Sequence, residues 1–110
     1  MKPIPKNLLI HSAELISVSE KGQWQEEQTG KSVHLEKIRI EPFSKLVTAK
    51  DNRQITLSAL LIYDCRNSRP KNIQFEQSQK VMWNGIEHVI ETIEPLYDGG
   101  RLHHYELGLI

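Results

Sequence analysis

Apolar residues along this chain recur at strand spacing and rarely at helical spacing. From Leu8 to Ser19 a run rich in Leu, Ile and Val is interrupted by Ser and Glu, with no helical stripe, and predicts a first strand. Glu20 to Ser32 is dominated by Lys, Gly, Gln, Glu and Thr, with Trp24 its one large apolar group, and reads as a long hairpin loop or a flexible excursion. Val33, Leu35, Ile38 and Ile40 mark a second strand. Alternation fails between Leu35 and Ile38, and a β-bulge near Glu36-Lys37 would restore it. Pro42 is expected to end that strand. Phe43 to Val47 and Ile55 to Tyr63 flank a polar tip, Lys50-Asp51-Asn52-Arg53, that suits a protruding hairpin. Leu57, Ala59 and Leu61 share one side of a strand, although Leu60 and Ile62 leave a short helix as the alternative. Asp64 to Asn72 reads as a loop closed by Arg69-Pro70. Ile73 to Glu76 leads into three β-type segments separated by Asn84-Gly85 and Asp98-Gly99-Gly100, a three-stranded antiparallel meander.

About seven short strands joined by Gly, Pro, Asn and Asp turns predict an all-β fold, a small closed or partly open antiparallel β-barrel with long loops. Closure is favoured over a sandwich because it removes edges that so much Ile, Leu and Val tolerates badly. With 110 residues, 38% hydrophobic and 25% charged, one domain over residues 1–110 is expected. No apolar run approaches the roughly 20 residues that span a bilayer, so no membrane helix is expected. Leu8-Leu9-Ile10 is too short for the core of a signal peptide, which predicts a protein that stays in the cytoplasm where it is made. The single cysteine, Cys65, has no internal disulfide partner, which suits a reducing compartment.

Several strings carry a more specific signal. The Asn84-Gly85 hairpin is followed by the terminal segment His103-His104-Tyr105-Glu106-Leu107-Gly108-Leu109. The opening Pro3-Ile4-Pro5-Lys6-Asn7-Leu8-Leu9-Ile10-His11 and the central Ala59-Leu60-Leu61-Ile62-Tyr63-Asp64 with Asn67-Ser68 belong to the same pattern. Together they resemble the minor capsid proteins of long-tailed bacteriophages, the head-completion or stopper group at the head–tail joint, over nearly the whole chain. The resemblance implies a compact β-barrel with long loops and a structural virion component, not an enzyme, with no cofactor. It also implies a ring, a dodecamer by family analogy, between portal or adaptor above and tail below. That ring would close the DNA-filled head, in a virion assembled in the host cytoplasm. Interfaces that form only on an existing ring are compatible with a monomer in dilute solution. A tail-terminator or neck protein of the same connector is the near alternative.

Charge adds a statement about partners. The net charge is zero, but Ser44 to Lys71 carries six basic residues against two acidic ones, a local excess of +4. The remainder, with Glu76, Glu87, Glu91, Glu94, Asp98 and Glu106 against Lys80 and Arg101, reverses it to −4. Opposite patches suit head-to-tail packing in a ring, and make Arg66, Arg69, Glu91, Glu94 and Glu106 candidate subunit contacts, to which the loop from Lys21 to Ser32 adds Trp24. The bland alternative is a set of solvated strand faces and loop tips. Lys45, Lys50 and Arg53 on the protruding loop form a candidate edge for duplex phosphates. By the family analogy, that loop would point into the central channel and help retain packaged DNA.

Other chemistry finds little support. His103-His104 is tempting, but neighbours on a strand point to opposite faces, so the two rings are not expected to share a metal unless His11, His34 or His88 converges on them. One is expected to face the barrel or pack against Tyr105 or Trp83, with Glu106 pairing one of them. Gly30-Lys31-Ser32 lacks the glycine a phosphate-binding loop requires five residues before its Gly-Lys, where Gln25 stands. Cys65 beside Arg66 has no placeable base and no nucleophile motif. Glu26-Glu27 lies in a polar loop unsuited to fixing a general acid. With 6% aromatic residues, widely separated, no stacking platform for single strands is evident. The rival classes are therefore a small OB-like nucleic-acid-binding module, which would show salt-dependent binding to single strands, and a metal-dependent hydrolase using His103 or His104, which metal analysis would detect.

Overall fold

The computed structural model describes residues 2–18, 29–48 and 51–110. A short 3-10 turn, Lys6–Leu8, precedes six strands: β1 (His11–Val18), β2 (Thr29–Thr48), β3 (Gln54–Asp64), β4 (Lys80–Trp83), β5 (Ile86–Asp98) and β6 (Arg101–Leu109). The fold is all-β. Every pairing is antiparallel, in the order β1-β2-β3-β6-β5-β4, and β4 pairs back with β1 so that the sheet closes into a ring. The alternating residues of β3 decide its inward face: Leu57, Ala59, Leu61 and Tyr63 are all buried, and the helical alternative for this segment falls away. Leu15 from β1, Leu35, Ile38 and Ile40 from β2, Val81 from β4, Ile90 from β5, and Leu107 and Leu109 from β6 complete the interior. One wall of this core is aromatic, with Tyr63, Phe75 and Tyr105 packed mutually at centroid separations of 5.3 to 6.2 Å.

The turns take the conformations their residues favour. Asn84 (φ 52°) and Gly85 (φ 75°) both occupy the left-handed region between Trp83 and Ile86, as a type I′ hairpin demands. Gly99 (φ 63°) opens the β5–β6 turn, where Asp98 faces Arg101. The bulge expected at Glu36-Lys37 is present. His11 lies opposite Ile38 and Ala13 opposite Leu35, so β2 holds one residue more than β1 across that step, and Lys37 takes a φ of 58°. Both Leu35 and Ile38 thereby face inward.

Three boundaries differ from the sequence reading. Leu8 to Ile10 are not strand: Leu8 closes the 3-10 turn and β1 begins at His11. Pro42 does not end β2, which continues to Thr48. A proline lacks the N–H needed for an interior ladder, but beyond Ile38 β2 is paired only with β3; the Ile40 N–H points away from β3, to His11 Nδ1 at 3.0 Å, and the Pro42 nitrogen two residues on faces the same side, so no ladder bond is lost. The two segments read as separate strands are thus one, and six strands stand in place of about seven. The end of the expected Glu20 to Ser32 loop is strand, since Thr29 already pairs with Val18; residues 20–28 of that loop lie outside the described residues.

Candidate functional site

The long β2 produces the first surface feature. Its pairing with β1 stops at Ile38, and β3 meets β6 only from Ala59 onward. Between these limits, Lys45 to Thr48 pair with Gln54 to Leu57 as a two-stranded ribbon that projects beyond the closed sheet. Leu46 is 59% exposed on it. Isolated two-stranded hairpins are marginal in water, so an exposed ribbon with an apolar residue on it is suited to contact with another surface. Lys45 and Arg53, both exposed, lie on this ribbon and its tip; Lys50 lies outside the described residues. Arg53 is paired within the tip, its Nε donating to Asp51 Oδ2 at 2.6 Å. That hydrogen bond holds the Asp51 carboxyl below its ordinary range and offsets the Arg53 charge locally.

Arg66 and Arg69 sit at the far end of β3, in the turn after Asp64, so the basic excess of Ser44 to Lys71 divides into two groups at opposite ends of one strand. A buried network fixes this turn. Asp64 Oδ2 accepts the Asn67 N–H at 2.8 Å, and the Asp64 N–H donates to Ser68 Oγ at 2.8 Å. The Ser68 hydroxyl in turn donates to the Lys37 carbonyl of the β2 bulge. The N-terminal strap is tied to the same turn: the Ile4 N–H donates to Asp64 Oδ1 (3.3 Å) and Asn67 Nδ2 to the Ile4 carbonyl (2.8 Å). Arg69 and Lys71 spend donors on backbone carbonyls, Arg69 on those of Arg66 and Ser68 and Lys71 on those of Cys65 and Arg66. Between turn and strap opens a cleft of about 560 Å³, lined by Arg66, Lys71, Arg101 and His103 along with Asp64 and Cys65. Burial pushes the Cys65 thiol up, against the low-pKa thiolate a neighbouring arginine alone would suggest.

The acidic candidates gather on β5 and β6. Glu94 lies directly opposite Glu106, a like-charge pair that is unfavourable unless offset. His104 supplies an offset, its Nε2 standing 3.2 Å from Glu106 Oε2. Glu91 falls where β5 carries an extra residue between Ile90 and Thr92, and its carbonyl accepts from Gln77 Nε2 at 2.9 Å. Trp24 lies outside the described residues.

A family model described as minor capsid protein matches residues 5–109. The chain belongs to the minor capsid protein family. No curated protein and no solved structure matches it. Membership gives this minor capsid protein a structural role in a phage particle, located in the virion and in contact with other particle components.

The histidine pair of this minor capsid protein requires a correction. Leu96 lies opposite His104 and Tyr97 opposite Leu102, so His103 is an extra residue on β6. A bulge suspends the rule that neighbours face opposite ways, and the two rings meet edge to face with Nδ1 atoms 2.8 Å apart. Neither packs on Trp83, whose ring meets His11 and His88. The expected partnership of Glu106 with one histidine is present. Among the described residues, no group of three or more His, Cys, Asp or Glu side chains converges as a metal site. Gly30-Lys31-Ser32 is part of β2. Sequence reasoning missed the strap and its anchor Asp64, although the Pro3-Ile4-Pro5 start, unable to continue a helix or a ladder, was a usable signal of an extended segment laid across something else.

Proposed function

We propose that this minor capsid protein is a ring-forming subunit of the head–tail joint, a head-completion stopper that closes the DNA-filled head and offers a docking surface to the tail. The observation that carries this reading is the ribbon of β2 and β3 projecting from a closed sheet, in a chain of this family. A closed sheet presents few open edges for assembly, so the ribbon is where a neighbour or an adjoining ring would be engaged. The uneven charge along the chain supports head-to-tail packing, with Arg66 and Arg69 of one subunit set against Glu91, Glu94 and Glu106 of the next. The partners are then a portal or adaptor on one side and a tail protein on the other. Lys45 on the ribbon and Arg53 at its tip would meet packaged DNA as sequence-independent phosphate contacts, with Lys50 a further candidate from the sequence. Because Asp51 offsets Arg53, Lys45 is the stronger contact of the two that are described.

The test is deletion of the gene from the parent phage or prophage, followed by electron microscopy of induced particles. Separate tails beside heads that have lost their DNA are expected. Normal infectious virions would overturn the joint assignment. For the ribbon, Lys45→Ala combined with Lys50→Ala and Arg53→Ala is expected to weaken DNA retention, and full retention would remove DNA from its role.

A further inference from the structure

Two cavities of this molecule share a wall. The cleft beside the Asp64 turn is lined by Arg66, Lys71 and Arg101, and a second cavity of about 370 Å³ is lined by Tyr63, Ile73 and Tyr105; Cys65, Lys71 and Leu102 border both. Together they make one groove with a cationic half and an aromatic half. Three permanent cations face two carboxylates in the cationic half, Asp64 and Asp98, so an excess of positive charge remains. Asp64 is buried and its two oxygens accept the Ile4 and Asn67 N–H groups. Arg66 and Arg101 are exposed, and among the described residues neither guanidinium has a hydrogen-bond or ion-pair partner. A guanidinium fork matches a carboxylate, and an aromatic wall takes another flat ring edge to face. The ligand that fits both halves is an extended peptide segment with an aromatic side chain close to carboxylates.

The chain carries such a segment, Trp24-Gln25-Glu26-Glu27, within residues 20–28 that lie outside the described ones. We propose that the groove of one copy binds Trp24, Glu26 and Glu27 of a second copy, with the indole against Tyr63 and Tyr105 and the carboxylates on Arg66 and Arg101. A second copy is required by chain length. Glu36 exchanges backbone hydrogen bonds with Arg69 of the basic turn, and Thr29 stands seven residues before it on β2, about 23 Å at strand rise. Glu26 is three residues from Thr29 and reaches back about 10 Å at full extension, well short of its own Arg66. The inference rests on the ring reading and adds a second element of the neighbouring copy to the contact at Arg66. In a ring the segment is presented at high effective concentration, so a weak intrinsic affinity suffices.

The test needs no assembled particle. A fluorophore-labelled synthetic peptide of residues 19–28 is titrated with the full chain and followed by anisotropy, while amide NMR spectra of the chain map the contact. Saturable binding is expected, with shifts at Cys65, Arg66, Leu102 and Tyr105. Arg66→Gln with Arg101→Gln is expected to weaken binding about tenfold through lost charge-assisted hydrogen bonds. Trp24→Ala in the peptide is expected to weaken it by at least about tenfold, as removal of an aromatic anchor does. A peptide with Glu26→Gln and Glu27→Gln is expected to bind the wild type and the double arginine variant alike, because the groups those arginines meet are then gone. The arginine side chains make no hydrogen bond or ion pair that folding requires, and the peptide variants decide the matter without a change to the protein. Absence of saturable binding, affinity indifferent to Trp24 or to the arginines, or shifts confined to another face overturns the proposal. Binding that appears only when the chain's own Trp24→Ala, Glu26→Gln and Glu27→Gln changes are made also overturns it, because the chain's own loop then fills the groove. Failure here leaves the joint reading to the gene deletion, which it does not prejudge.

Discussion

Gly108→Ala puts a methyl group into occupied space. A Cβ at that position lies 2.3 Å from Thr92 Oγ1 and 2.7 and 3.2 Å from the two Leu57 methyls. Two effects compete. Alanine restricts the unfolded chain and, where it fits, stabilises by about 0.4–1 kcal/mol. The backbone here permits it, since among the described glycines positive φ is confined to Gly85 and Gly99. Against that gain stands a collision with two side chains at once. Thr92 could turn about χ1, at the cost of leaving a preferred rotamer, but Leu57 is buried and must move as well. Overpacking of this kind costs about 1–3 kcal/mol, so the net expectation is a loss of about 1–2 kcal/mol, seen as a fall in Tm of roughly 5–10 °C for a chain of this size. Urea unfolding monitored by circular dichroism supplies the free energy. Gly100→Ala is the internal control, with nothing within 4 Å of its Cβ, and is expected to be neutral or slightly stabilising. Thr92→Ala and Leu57→Ala in the Gly108→Ala background should each recover part of the clash. If Gly108→Ala matches Gly100→Ala, the steric reasoning is refuted.

Ser68→Ala removes the hydroxyl that accepts from the buried Asp64 N–H and donates to the Lys37 carbonyl, and should cost about 1–3 kcal/mol in urea unfolding; an unchanged midpoint would show that the turn does not depend on it. Gly85→Ala meets no atom within 4 Å, so its cost of about 1–2 kcal/mol is purely that of placing a Cβ at a φ of 75°, and substitution by D-Ala in synthetic protein should remove it. Burial is the main cause that pushes the Tyr63 phenol up to about 12, with nearby Cys65 adding to it. The folded-state value lies above the ordinary one of about 10. The resulting stabilisation is therefore complete below about pH 10 and lost as pH rises through about 12. Ultraviolet absorbance titration should show a late phenolate step that Tyr63→Phe abolishes, and its persistence in that variant would reassign it.

The legible parts of the fold were those set by local chemistry. Asn84-Gly85 announced its hairpin because few other dipeptides adopt two left-handed conformations. Glu36-Lys37 announced its bulge because Leu35 and Ile38 can share the interior only with an extra residue between them. What the chain concealed was set by neighbours. Pro42 stops a strand flanked on both sides but not one that has already lost its neighbour on one side, and nothing near Pro42 says where the pairing with β1 stops. His103 looks like an ordinary strand residue because its bulge is fixed by the count of residues on β5 across the ladder. The candidate surface divides likewise: Arg66, Arg69, Glu94 and Glu106 were found as charges, but the split of the basic excess along β3 needed the fold.

Because β2 is one uninterrupted backbone from barrel wall to ribbon tip, the molecule has a definite mechanical grain. Tension on the tip pulls β2 and β3 in the same direction, so the bonds between them bear little of it. The load passes instead along the strand axes into the β1–β2 and β3–β6 ladders, where it acts in shear. Ladders loaded in shear must give way many bonds at once, whereas a peeled ladder opens one bond at a time. A particle component that resists being drawn out along this axis can therefore still be lifted away sideways, strand by strand.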